Sequence, residues 1–65
     1  MQEHRYATGE TVVFVPGSDE RKYGGLYEVV MPLPEEHGEH QYRIQSRSDG
    51  HQRVVWEYQL TAPPG

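Results

Sequence analysis

Cysteine is absent from this 65-residue sequence, so no disulfide framework and no four-thiolate zinc site can staple the fold. Lysine is scarce as well. Lys22 stands beside five arginines against 10 acidic residues, for a formal net charge of −4 at pH 7. Affinity for nucleic acid rests mainly on neutralising phosphates with Lys and Arg, and here the arginines are scattered among acids, which disfavours that class of partner. Long apolar runs are also missing. The longest falls far short of the roughly 20 residues that span a bilayer as a helix. No basic segment followed by an apolar one opens the chain, so a cytoplasmic, bacterial-type protein is expected. The apolar fraction is 34%, low for a globular domain, and chains near this size bury only about 60% of their unfolded surface. The expectation is a single domain over residues 1–65, ordered over about 6–62. Its net stability should be at most a few kcal/mol.

What the sequence does contain is β chemistry. Four short runs, Thr11–Val15, Leu26–Met31, Gln41–Gln45 and Arg53–Trp56, are rich in Val, Ile, Tyr and Phe. Gly, Pro, Asp and Ser bound them, which is the signature of strands separated by turns. Pro16-Gly17-Ser18-Asp19 stops the first run, and residues 16–25 read as a charged loop closed by Gly24-Gly25. Pro32-Leu33-Pro34 stops the second run. Ser48-Asp49-Gly50 predicts a tight hairpin, so the third and fourth strands should pair antiparallel. Residues 1–8 are polar and are expected to fray. No stretch carries a 3.6-residue apolar period for more than a turn.

Alternation along each run orients it. Tyr27, Val29 and Met31 are predicted inward because Glu28, on the opposite face, is costly to bury unpaired. Tyr42 and Ile44 face in, with Arg43 and Gln45 out. The first strand offers two apolar faces, Val12 with Phe14 and Val13 with Val15; Val12 and Phe14 are taken as the inner one, since Phe is the larger apolar side chain. In the fourth strand either Val54 and Trp56 point inward, or Val55 does, flanked by Arg53 and Glu57; the reading taken places Val55 inward, with Leu60 closing the core and Trp56 left partly at the surface.

The order Gly9-x-x-Val12, Gly25-x-Tyr27-x-Val29, Tyr42-Arg43-Ile44, then Arg53-Val54-Val55-x-Glu57-x-x-Leu60 resembles the small SH3-like β-barrels. That superfold is shared by KOW, Tudor and related modules, and the likeness covers about residues 9–62. It implies an all-β fold: a small SH3-like antiparallel β-barrel of about five strands. The fourth strand would run into one 3₁₀ turn at Glu57-Tyr58-Gln59-Leu60, and Thr61-Ala62 would be the closing strand. The spacing of Tyr-Glu-Val, Leu-Pro, Tyr-Arg-Ile and Arg-Val-Val-x-Glu-x-x-Leu is similar to a group of small, mostly uncharacterised proteobacterial proteins. The likeness implies a fold and is nearly silent on function. The basic loop residues that KOW modules use on ribosomal RNA are missing.

No motif specifies a reaction. Ser18, Ser46 and Ser48 lie in turn-like contexts, the phosphate-cradling P-loop signature is absent, and so small a domain has little volume for a substrate pocket. No enzymatic activity and no cofactor are expected. His37-Gly38-Glu39-His40, after Glu35-Glu36, offers two imidazoles and a carboxylate to a metal. A Gly-containing loop is a poor frame without a third rigid ligand, so this segment is read as a solvated acidic loop and no metal is assigned. The histidines could also sense pH, since imidazole titrates near neutrality.

The aromatics carry more. Tyr6, Tyr23, Trp56 and Tyr58 are those the strand reading leaves nearest the surface; Trp56 could equally close the core, and Tyr58, within the turn, is expected to be a half-buried plug. Tyr and Trp are enriched where proteins bind one another. Trp56, Tyr23 and Tyr58 are therefore the candidate contact residues, with Arg43 and Arg53 for charge complementarity. The expected partner is a protein or peptide, or a second copy of the chain joined through an exposed edge strand. Two alternatives are a nucleic-acid patch of Arg43, Arg47 and Arg53, and an accessory domain with no ligand of its own.

Overall fold

The computed structural model of the chain describes residues 4–35 and 37–64. Five strands form within them: β1 (Thr11–Phe14), β2 (Gly25–Pro32), β3 (Gln41–Ser46), β4 (Gln52–Trp56) and β5 (Leu60–Thr61). They make one antiparallel sheet in the order β4-β3-β2-β1-β5. The fold is all-β, as the apolar runs predict, and a single 3₁₀ turn at Glu57–Gln59 precedes the last strand. Among the described residues no helix is long and apolar enough to cross a membrane.

The sheet is not closed. β4 and β5 end the strand order without pairing to each other, because β5 has only two residues and the 3₁₀ turn separates it from β4. Coiling replaces closure. The Arg53 guanidinium of β4 lies 5.5 Å from the ring centroid of Phe14 on β1, so side chains from opposite ends of the sheet meet over one core.

That core contains Tyr6, Val12, Phe14, Tyr27, Val29, Tyr42, Ile44, Val55 and Leu60. The aromatics meet edge to face: Phe14 and Tyr27 have centroids 5.5 Å apart at 82°, Tyr6 and Tyr42 5.7 Å apart at 67°. Such pairs contribute beyond the area they bury, which helps a core with few aliphatics.

Two burial assignments fail, one inward and one outward, each for a definite reason. Met31 is 46% exposed rather than buried. Val29 pairs with Ile44 and Met31 with the next residue of β3, Arg43, so Val30 is an extra residue opposite nothing. Such a bulge resets the alternation, and Met31 shares the outer face with Arg43. Tyr6 is buried, not superficial. The amides of Arg5 and Tyr6 both donate to the Tyr42 hydroxyl (2.8 and 3.1 Å), and the Tyr6 hydroxyl donates to the Leu60 carbonyl (3.3 Å). The segment from His4 is thus tied down, while the fraying expected of residues 1–3 lies outside the described residues.

Two turns also differ from expectation. Ser18–Tyr23 is a polar 3₁₀ segment with no buried residue, where a charged loop was expected. The β3–β4 connection is longer than a two-residue hairpin. The Ser46 amide donates to the His51 carbonyl (2.8 Å), leaving residues 47–50 as the loop. Gly50, at φ +79°, supplies its left-handed position.

Candidate functional site

Strand register separates the candidate residues into two groups. Arg43 lies opposite Val54 and Met31, whereas Arg53 lies opposite Ile44. Directly opposed residues share a face, so Arg53 is on the core side with Ile44 and Val55, and Arg43 is outside. The side chain of Arg47 is engaged by Thr11, its Nη1 donating to Oγ1 (3.0 Å). The three arginines therefore do not gather into one patch.

On the outer face, Val54, Arg43 and Met31 form a row across three strands, and Trp56 opposes Gln41 in the neighbouring row. Val54 is 48% exposed. Trp56, half-buried, stacks nearly parallel to Tyr58 of the 3₁₀ turn, with centroids 6.5 Å apart and planes 9° apart. Tyr58 is 76% exposed, so it is no plug. The alternation of an antiparallel ladder turns the backbone of Gln52, Val54 and Trp56 toward the open edge of β4. The Trp56 amide there is capped by Gln59 Oε1 (3.0 Å).

The second group sits at the mouth of the core. Tyr23 ends the first 3₁₀ segment, and the Arg53 guanidinium lies 4.4 Å from its ring centroid. Lys22 Nζ is 5.1 Å from the same centroid. The Tyr27 hydroxyl donates to the Tyr23 carbonyl (2.6 Å), fixing the segment to β2. Tyr23, Tyr27 and Arg53, with Lys22, Ser46, Ser48, Asp49 and His51, line a cleft of about 230 Å³. Asp49 accepts from the His51 amide, which chiefly holds its carboxyl below the ordinary value.

A third cluster is one that sequence reasoning missed. The Tyr42 hydroxyl donates to Glu57 Oε2 (2.5 Å), and the Arg5 amide donates to the same carboxylate oxygen (3.0 Å). Beside them His40 is 8% exposed, and neither of its ring nitrogens has a hydrogen-bond partner among the described residues. The His4 ring lies 4.4 Å from it, with Nε2–H donating to the Leu33 carbonyl (2.6 Å). Burial and the bond to Glu57 push the Tyr42 phenol up to about 12. Burial is the largest single influence on Glu57 and raises it. The Tyr42 hydroxyl, the Arg5 amide and the imidazoles of His40 and His4 together outweigh that and leave the carboxyl below its ordinary value. These contacts clasp the N-terminal segment to the turn before β5. An inward tyrosine needs a partner for its hydroxyl, and that requirement is the signal by which Tyr42–Glu57 was findable.

The histidine loop is therefore not uniformly solvated. His37 is exposed, at φ 55°, while His40 turns into the clasp. Among the described residues no group of three His, Asp or Glu side chains converges as a metal site, and Glu36 of that loop lies outside them. Protein-family models, curated proteins and solved structures give no match to this chain.

Proposed function

We propose that this chain is a small, non-catalytic SH3-like interaction module, acting in the cytoplasm, that binds a protein partner on the outer face of its sheet. The strand order, with a 3₁₀ turn before a short last strand, supports the SH3-like reading. One observation carries the functional reading: the stack of half-buried Trp56 on exposed Tyr58 lies beside the row in which Val54 and Met31 flank Arg43. Aromatic rings and arginine are the side chains most enriched at the energetic centres of interfaces. An apolar surface with one exposed cation at its centre suits a partner segment that places a carboxylate among apolar side chains. The open β4 edge at Gln52 and Val54 leaves room for such a segment to add as a strand.

Site-specific photo-crosslinking in the host cell tests this reading. A photoreactive residue at 58 or 54 should capture the same protein, one at Glu20 should not, and Arg43→Glu should abolish capture. Equal capture from all three positions, or capture of nucleic acid alone, would overturn the proposal. The same open edge favours a second reading, pairing with another copy of the chain, which sedimentation detects as a dimer.

A further inference from the structure

The cleft at the mouth of the core holds a charge imbalance that the outer-face reading does not use. Arg53 occupies an inward position, where a guanidinium is costly unless its charge is matched. Its Nε is buried and has no hydrogen-bond partner, and among the described residues the one ion pair is His51–Asp49, so no carboxylate pairs with Arg53. Lys22 addresses the same Tyr23 ring as Arg53. Two cations therefore converge on one aromatic wall. The ring faces offset part of the cost through cation–π attraction, but they neutralise neither charge.

The other wall supplies donors. Ser46 and Ser48 share one hydrogen bond between their hydroxyls (2.9 Å), and the Ser46 hydroxyl also faces the Asp49 carboxylate; with Ser46 donating, the Ser48 hydroxyl hydrogen is the one left to offer. Among the described residues Asp49 is the only carboxylate lining the cleft. It is already engaged, by the His51 amide (3.0 Å) and by His51 Nδ1 (3.3 Å).

We propose that this cleft binds an oxyanion of the phosphate class, held by Arg53 and Lys22 with a serine hydroxyl as a further donor. Two separate cations and a hydroxyl suit a tetrahedral anion with several acceptor oxygens better than a single carboxylate. At about 230 Å³ the cleft has room for a phosphate group while falling below the usual size of a drug-sized ligand's pocket. The group arrives either as free phosphate or on a phosphorylated side chain. The site is independent of the Trp56–Tyr58 surface.

Amide and arginine Nε NMR titrations decide it. Inorganic phosphate should give saturable shifts at Tyr23, Gly24, Ser48, His51 and the Arg53 Nε, with chloride at matched ionic strength giving none. Losing one charge-assisted contact should weaken binding about tenfold, so Arg53→Gln and the solvent-exposed Lys22→Gln should each do so. Tyr58→Ala should bind as the parent, whatever becomes of the outer-face partner. A phosphoserine peptide binding at least tenfold tighter than inorganic phosphate assigns the side-chain source, and equal or weaker affinity assigns the free anion. Non-saturating shifts, shifts matched by chloride, or a folded Lys22→Gln variant that binds undiminished would overturn the proposal.

Discussion

The Tyr42 hydroxyl accepts from two backbone amides, those of Arg5 and Tyr6, and donates to Glu57. Tyr42→Phe keeps the ring in the core and removes the oxygen. Each group left without a partner costs about 1–3 kcal/mol when buried, so the variant should lose about 2 kcal/mol in urea unfolding, with faster hydrogen exchange at the Tyr6 amide. The pH dependence follows from the same bond. Glu57 is held below its ordinary value in the folded chain. Its contribution is therefore present above the unfolded carboxylate range and is lost as pH falls through the folded value. Tyr42 moves the other way, from 10.0 to about 12. The folded state then holds a proton the unfolded state has released, so this contribution is complete below pH 10 and is lost as pH rises toward 12. Urea midpoints should decline at both extremes, and Tyr42→Phe should remove the tyrosine's share of the alkaline decline. Equal alkaline slopes in both proteins would refute the assignment.

The elements show where local pattern was sufficient and where it was not. Val12, Phe14, Ile44 and Val55 were readable because alternation narrows each strand to two faces: Arg43 and Gln45 exclude one on β3, the bulk of Phe14 favours one on β1, and on β4 the register decides between Val55 and the pair Val54 and Trp56. Met31 could not. Val29-Val30-Met31 is continuously apolar and contains no glycine, so nothing in it marks the bulge that the pairing of β2 with β3 reveals. Tyr6 failed for another reason: its contacts lie 36 and 54 residues away, and a polar setting says nothing about such distant partners. The register likewise split Arg53 from Arg43, which the arginine spacing alone left as one group. Asp49-Gly50 correctly announced a reversal, but loop length depends on which residues close the ladder. The Gly50 requirement is conformational rather than steric, since an added Cβ would meet only Gln45 Nε2, at 3.6 Å. Gly50→Ala should therefore cost about 1–2 kcal/mol through the left-handed backbone alone, and Gly50→Asn should cost less. Equal thermal stability of the Ala variant would show that the loop relaxes out of that conformation.

At the scale of the molecule, the two faces of one sheet divide stability from the recognition proposed for the outer face. The inner face must supply nearly all the stability of a chain with no disulfide, and a domain of this size holds only a few kcal/mol in reserve. Leu60 is where that reserve is most exposed to test. It is buried, pairs with Phe14, and its carbonyl receives the Tyr6 hydroxyl, so it joins both chain ends to the core. Truncating a buried leucine costs about 2–5 kcal/mol, comparable to the whole reserve. Leu60→Ala should therefore leave a substantial unfolded population at 25 °C, seen as loss of the near-ultraviolet aromatic signal. Val54 lies across the sheet from this core, in the outer row with Arg43. Val54→Lys should leave urea unfolding within about 0.5 kcal/mol of the parent while abolishing photo-capture from position 58. A well-folded Leu60→Ala chain, or an unfolded Val54→Lys chain, would show that the division of labour between the faces is drawn in the wrong place.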